Sequence, residues 1–259
     1  MSDSNPGGEL VHLDVGDGVA TITLDSQANR NALSRRLVAD LHTALDGAEE
    51  ATAAGDVRSI VLTHTPPAFC AGADLKERAS SPPDSRPIVR AFERLMDTEV
   101  PTIAAVSGPT RAGGIGLMAS CDLVVVKRDV TFALTEVRIG AAAAIISVPI
   151  FRRVNPVHLA AAFLTGEPFT AEFGRQLGLV THVTDDVTDV VDRLCAAIAV
   201  GAPGAVAATK RILRDALDAS LEERAAAFER MRALSDELFQ STEAAEGMAA
   251  FAEKRPPSW

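Results

Sequence analysis

Two stretches of this chain place residue types where chemistry could happen. The first is Pro67-Ala68-Phe69-Cys70-Ala71-Gly72-Ala73-Asp74-Leu75-Lys76-Glu77, which follows the apolar run Ser59-Ile60-Val61-Leu62-Thr63. That run reads as a buried strand, Gly72 permits a sharp turn, and Asp74 can cap a helix opened by Leu75-Lys76-Glu77. Backbone N–H groups at such a helix start lack an intrahelical acceptor and carry partial positive charge, so they can hold a partial negative charge. The second stretch, Ala105-Val106-Ser107-Gly108-Pro109-Thr110-Arg111-Ala112-Gly113-Gly114-Ile115-Gly116, repeats the pattern of strand, glycines and helix. Two such amide sources can converge on one oxygen, as an oxyanion hole does.

Other chemistries find little support. Cys70, Cys121 and Cys195 are too widely spaced for a disulfide framework or a metal site. His12, His42, His158 and His182 are scattered without metal-ligand spacing, and His64, in the loop before the first stretch, reads as a solvated loop histidine rather than a general base. Asp122, at a helix-to-strand junction, reads as structural. Gly113-Gly114-Ile115-Gly116 lacks the spacing of a dinucleotide fingerprint, and Ser107 does not sit in a nucleophile elbow, which argues against a Rossmann oxidoreductase and a serine hydrolase.

The elements that must position these stretches follow from pattern. The 259 residues suffice for one large domain or a domain with an appendage, and 47% hydrophobic with 23% charged residues is the balance of a globular protein. A formal charge of −10 disfavours a nucleic-acid surface or an anionic membrane, so any anionic ligand must be held by local basic residues. No apolar run reaches the length of a membrane span and Met1 to Gly8 has no signal-like core. With three unpaired cysteines, a cytoplasmic setting is expected. Leu10 to Val15 and Val19 to Leu24 flank a glycine turn and predict a hairpin; Ser34 caps a helix over 35–54. Residues 79–87 are a proline- and serine-rich loop, followed by a helix over 88–98, a strand over 101–106, the second stretch, a strand over 122–126, and Phe132-Ala133-Leu134 leading to Glu136. Helices at 155–164 and 170–176, a strand at 179–183, a helix at 186–199, and a wholly helical tail at 204–218, 220–239 and 241–252 complete the chain. Alternating strands and helices predict an α/β class.

Six segments in order give the chain a resemblance. NRNALS (29–34), AFCAGADLKE (68–77), PTIAAVSGPTRAGGIGLMASCDLVV (101–125), FALTEVRIG (132–140), FLTGEPFTAEFGRQLGLVTHV (163–183) and FAEKRPPSW (251–259) resemble the crotonase, or enoyl-CoA hydratase/isomerase, superfamily over nearly the whole length. The resemblance implies a spiral of ββα units with two steeply angled sheets over residues 1–199, and a C-terminal helical layer over 200–259 that assembles trimers or hexamers. It implies an acyl-CoA thioester as substrate, coenzyme A being part of that substrate, with no metal or redox cofactor. The oxyanion amides are then those of Ala73 and Gly113. The loop around Ala28 to Arg30 meets the nucleotide end of coenzyme A, with Ala71, Asp74, Leu75, Lys76, Gly116 and Lys254 as further substrate-binding positions.

One departure from the family pattern bears on the reaction. Hydratases of the superfamily use two glutamates, one three residues after the oxyanion glycine of the second motif and one at the place of Glu136. Here the first place is Gly116. A single carboxylate suits proton transfer, and hence double-bond isomerisation, better than water addition; hydration and non-catalytic acyl-CoA binding are the alternatives. One helical turn separates Gly113 from Gly116, so a glutamate installed at 116 is expected to face the site. The Pro-Gly-Ala-Gly-Gly type run of many relatives is replaced by Ala141-Ala142-Ala143-Ala144-Ile145-Ile146.

Overall fold

Strands β1 (Val11–Gly16) and β2 (Val19–Leu24) pair antiparallel across the Asp17-Gly18 turn, where both residues have positive φ (51° and 77°). The computed structural model describes residues 8–74, 77, 84–139 and 141–218, with 242, 246, 253, 255 and 258 in the tail. Helix α1 (Arg35–Ala54) starts where expected, because the Ser34 Oγ accepts the Leu37 N–H at 3.2 Å, and it stops at Gly55 in the left-handed region. The chain continues through β3 (Ser59–His64), α2 (Arg86–Asp97), β4 (Thr102–Val106), the two-residue β5 (Thr110–Arg111), α3 (Gly113–Ala119), β6 (Leu123–Lys127) and β7 (Thr131–Ala133). A 3-10 turn at Thr135–Ile139, α4 (Ala144–Phe151), α5 (Pro156–Thr165), β8 (Phe169–Thr170), α6 (Ala171–Gln176), β9 (His182–Thr184), α7 (Val187–Val200) and α8 (Pro203–Asp218) follow. The strand expected at 179–183 begins later, at His182, because Leu179 and Val180 instead bond to Gly174 O and pack at the end of α6.

The strands make two sheets. The larger has the order β1-β2-β3-β4-β6-β9, with every pair beyond the hairpin parallel; the smaller has the order β5-β7-β8. Parallel strands buried on both faces should be apolar throughout, and all five residues of β4 are buried. The two-residue period divides their side chains. Ile60, Leu62, Ala104, Val106, Val124 and Val126 face the main core, whereas Val61, Ile103, Ala105 and Val125 pack on Val187, Val190, Val191 and Cys195 of the α7 layer.

Helix α4 has no counterpart in the sequence expectation. Its Ala-Ile-Ile-Ser-Val-Pro-Ile-Phe run is rich in β-branched residues and contains Pro149, so local propensity argues against a helix; burial of Ile146, Pro149 and Ile150 in the core decides for it.

Helix α8 is fastened to the core by an ion pair. Lys210 is 6% exposed; its Nζ lies 2.8 Å from Asp122 Oδ2 and donates to Val100 O at 2.9 Å. Asp122 also accepts the Thr102 N–H and Oγ–H, at 2.7 and 3.0 Å, so it is structural as expected. The boundary at 199/200 therefore falls before a helix that is itself tied to β4. The tail helix expected at 220–239 lies outside the described residues, and of the one expected at 241–252 only Thr242 and Glu246 are described, both helical. No single described helix is long and apolar enough to cross a membrane.

Lys210→Met would leave the half-buried Asp122 carboxylate without its cation and Val100 O without its donor. Removing one partner of a buried pair costs about 3–5 kcal/mol, and the 31% exposure of Asp122 puts this case at the low end. Urea unfolding should show a loss near that size with the m-value unchanged.

Candidate active site

Parallel pairing of β3 with β4, in register from Ile60↔Thr102 to Leu62↔Ala104, brings the carboxyl ends of the two strands side by side. Both glycine-bearing stretches leave the sheet there, at the edge where open parallel sheets commonly bind ligands. Their exits are stitched together. Ser107 donates its N–H to His64 Nε2 at 3.0 Å, Phe69 donates to Pro109 O at 3.2 Å, and Arg111 donates to Cys70 O at 2.9 Å. Because His64 Nε2 accepts, Nδ1 carries the proton and donates to Thr65 O at 3.1 Å. His64 is thus not the solvated loop residue expected; burial pushes its pKa down, and the neutral ring clamps two strand ends. Cys70 is fully buried and its thiol is pushed up to about 12 by burial, which removes it as a nucleophile.

Beyond the stitches the two stretches touch. Gly72 has φ +89°, and a Cβ on it would lie 2.8 Å from Ala112 Cβ and 3.5 Å from Gly113 N. A Cβ on Gly113 would lie 3.9 Å from Ala73 N. The amides of Ala73 and Gly113 therefore emerge at one place, and among the described residues neither has a hydrogen-bond acceptor. Ala112 sits at φ 47°, ψ −119°, a conformation costing a non-glycine residue on the order of 1–3 kcal/mol. It is held there by its N–H bond to Ala133 O at 3.0 Å. This bend turns the chain from β5 into α3 and frees the Gly113 N–H.

The same contact brings in the carboxylate. β7 pairs with β5 through Thr110↔Phe132 and Arg111↔Ala133, so the 3-10 turn carrying Glu136 starts two residues past the point that holds Ala112. Glu136 Oε2 is buried and has no hydrogen-bond partner among the described residues. Desolvation raises the Glu136 pKa, opposed only by its own backbone N–H. Arg138 does not neutralise it: the guanidinium reaches Glu167 at 2.8 Å and Thr165 O at 3.1 Å. A half-buried carboxylate of raised pKa with one oxygen lacking a partner among the described residues is the form a general acid–base residue takes.

Gly116 is different from the expectation. A Cβ there would meet Ile146 Cγ2 at 2.6 Å, Ile146 Cβ at 2.9 Å and Phe92 Cζ at 3.0 Å. The face one turn beyond Gly113 is therefore filled by apolar side chains of α4 and α2, and a glutamate installed at 116 has no room to reach the site. Neither Ile146 nor Phe92 was legible as a site residue. The only hint was the replacement of the relatives' glycine-rich run by alanines and isoleucines.

Of the expected substrate-binding positions, Ala28 and Arg30 are exposed on a loop laid against the first stretch, with Arg30 O accepting the Ala71 N–H at 3.0 Å. Asp74 Oδ1 accepts the Glu77 N–H at 3.3 Å, the capping role expected of it. Leu75, Lys76 and Lys254 lie outside the described residues. Asn31, unremarked in the sequence, is fully buried at φ 55° and ties the loop down: its Oδ1 accepts from Ser26 N at 2.6 Å and its Nδ2 donates to Ala68 O at 2.8 Å.

Comparison with known proteins bears on the family and the fold. A family profile described as enoyl-CoA hydratase/isomerase matches residues 14–259. A Thermus thermophilus relative bearing an enoyl-CoA hydratase name is 36% identical over 250 residues, spanning 92% of this chain and 96% of its own. The crystal structure of an enoyl-CoA hydratase from Mycobacterium smegmatis superposes with a TM-score of 0.86 at 30% identity, covering 96% and 98% of the two chains. One from Mycobacterium avium gives 0.72 at 39% identity, covering 97% and 99%. The fold is the crotonase fold.

The raised pKa of Glu136 has a stability consequence whose sign is fixed. A carboxyl whose folded pKa exceeds its unfolded value of 4.5 stabilises the protein below that value, and the contribution is lost as pH rises through the folded pKa. Glu136→Gln, which cannot ionise, should therefore melt higher than wild type at pH 7, and the gap should close by pH 4 in thermal scans.

Proposed function

The chain belongs to the enoyl-CoA hydratase/isomerase family, and on that premise we propose that it shifts a double bond within an enoyl-CoA thioester, with Glu136 carrying the proton. The thioester oxygen lies between the Ala73 and Gly113 amides. Each donor of such a hole is typically worth about 3–4 kcal/mol to the transition state. With the carbonyl polarised, the Glu136 carboxylate takes a proton from C2 of a 3-enoyl thioester. The C–H electron pair flows into the carbonyl, giving a dienolate whose negative charge rests in the hole. The protonated Glu136 then returns the proton at C4, leaving the conjugated 2-enoyl thioester. Atoms and charge balance with no further reactant, so the reading assigns no metal or redox cofactor.

The observation that carries this choice is the filled face of Gly116. Hydration needs water activated beside the double bond, and here Ile146 and Phe92 stand where a second carboxylate would be. The hydratase names of the relatives favour the second reading, water addition, with Glu136 acting alone; a third is an acyl-CoA binder without turnover. Coenzyme A would be held by Arg30, Lys76 and Lys254, with Ala28, Ala71, Asp74 and Leu75 shaping the channel, in a cytoplasmic enzyme. Val157 and Leu164, seven residues apart on α5, are 76% and 78% exposed, an apolar strip that supports a homotrimer or hexamer, which light scattering at micromolar concentration can test.

Product analysis with 2-enoyl-, 3-enoyl- and 3-hydroxyacyl-CoA thioesters separates the readings. Isomerisation of the 3-enoyl substrate should dominate, and Glu136→Gln should lower its kcat about 10²-fold or more with KM little changed. Gly116→Glu should fail to hydrate crotonyl-CoA by itself and gain that activity only when Ile146→Gly opens the space. Brisk wild-type hydration of crotonyl-CoA, unaffected by Glu136→Gln, would sink the proposal.

A further inference from the structure

The geometry points to Glu77 as a positioning residue that holds the Ala73 amide in place through the start of helix α1. The inference rests on the reading of Ala73 as a donor to the substrate oxygen. Gly72 to Asp74 and Glu77 lie beside residues 33–35 and are pinned at two points. At one end Leu33 donates its N–H to Gly72 O at 2.7 Å, with Leu33 and Ala73 paired as a parallel bridge. At the other, Glu77 Oε2 accepts the N–H of Arg35, the first residue of α1, at 2.9 Å. Between the pins, Asn29 Nδ2 donates to Asp74 Oδ2 at 3.3 Å, and Asp74 Oδ1 accepts the Glu77 N–H at 3.3 Å. Asn29, Asp74, Glu77 and Arg35 thus form one relay that spans the Ala73 turn.

The relay suits its partners. The Arg35 N–H is one of the first donors of a 20-residue helix and cannot be satisfied within it, so a carboxylate is the acceptor that fits both its unmet hydrogen bond and its partial positive charge. Ser34 Oγ already serves Leu37, leaving Arg35 to Glu77. The side of Ala73 toward the second stretch is fixed by direct contact, since Gly72 packs on Ala112. The side leading away is held by Glu77. A hole works only when its donors are already aimed, because the donors must not reorganise as charge develops. A small swing of the Ala73 amide would weaken its bond to the developing oxyanion while leaving coenzyme A contacts in place.

The test uses the full-length protein, 3-enoyl-CoA turnover, and crotonyl-CoA labelled with 13C at the thioester carbonyl, read by difference infrared spectroscopy. Bound to wild type, the carbonyl stretch should fall below its value in water. Glu77→Ala should reduce kcat roughly 10–100-fold, the scale of a misplaced catalytic group, with KM within about twofold, and should move the stretch back toward its solution value. Glu77→Gln keeps a neutral acceptor for Arg35 N–H and should restore most of both signals. Wild-type kcat and stretch in Glu77→Ala would overturn the inference. So would a fall in kcat that follows a fall in melting temperature with the stretch unmoved, since that is the signature of a purely structural residue. If the wild-type stretch is not lowered at all, the assignment of the Ala73 and Gly113 amides fails first, and the role of Glu77 falls with it.

Discussion

Everything at this site depends on the parallel pairing of β3 with β4. Neighbouring parallel strands end at the same edge of a sheet, so the two turns that follow them must share space. The bonds from Ser107 to His64, Phe69 to Pro109 and Arg111 to Cys70 continue the pairing past the sheet, almost as a further short ladder. The same device recruits the carboxylate, because β7 lies against β5 and delivers Glu136 beside the bend at Ala112. The Lys210–Asp122 pair supports the base of this arrangement, since Asp122 binds Thr102, the residue that opens β4.

The glycines of the two stretches act by what they leave out. A Cβ on Gly72 would strike Ala112, and one on Gly114 would lie 2.7 Å from Cys70 Cβ, so both positions let backbone approach backbone. Gly116 is of another kind. Its missing side chain is replaced by Ile146 and Phe92, so the space is not a vacancy but a piece of apolar packing. Interiors packed at this density do not accept a glutamate without removing something else. The absence of one carboxylate and the presence of one isoleucine are a single structural fact.

Electrostatically the site is spare. Two amides with no acceptor among the described residues supply partial positive charge, and one desolvated carboxylate is available to carry a proton in the proposed reaction. Neither needs the overall field of a chain with formal charge −10, which would repel a coenzyme A nucleotide rather than attract it. Keeping Glu136 desolvated costs stability above its folded pKa. That cost is of the sort functional sites carry.

The sequence by itself determined a good deal. Apolar runs bounded by glycine and proline marked most strands, Ser34 and Asp74 declared their caps, and the ordered motifs identified the family and singled out Ala73, Gly113 and Glu136 as candidates. These are local facts, carried by spacing, propensity and backbone freedom within a few residues. Only the tertiary structure decided the rest. Helix α4 forms against its own propensity because the core takes Ile146 and Ile150; His64 becomes a neutral clamp because Ser107 comes from a strand over forty residues away. Gly116 proved to be covered, not open, because Ile146 is thirty residues further along and on another helix. Glu77 meets Arg35 across a similar gap. Contacts between residues distant in the chain leave no periodic trace in it, so who fills a space and who holds a turn can be read only when the chain is folded.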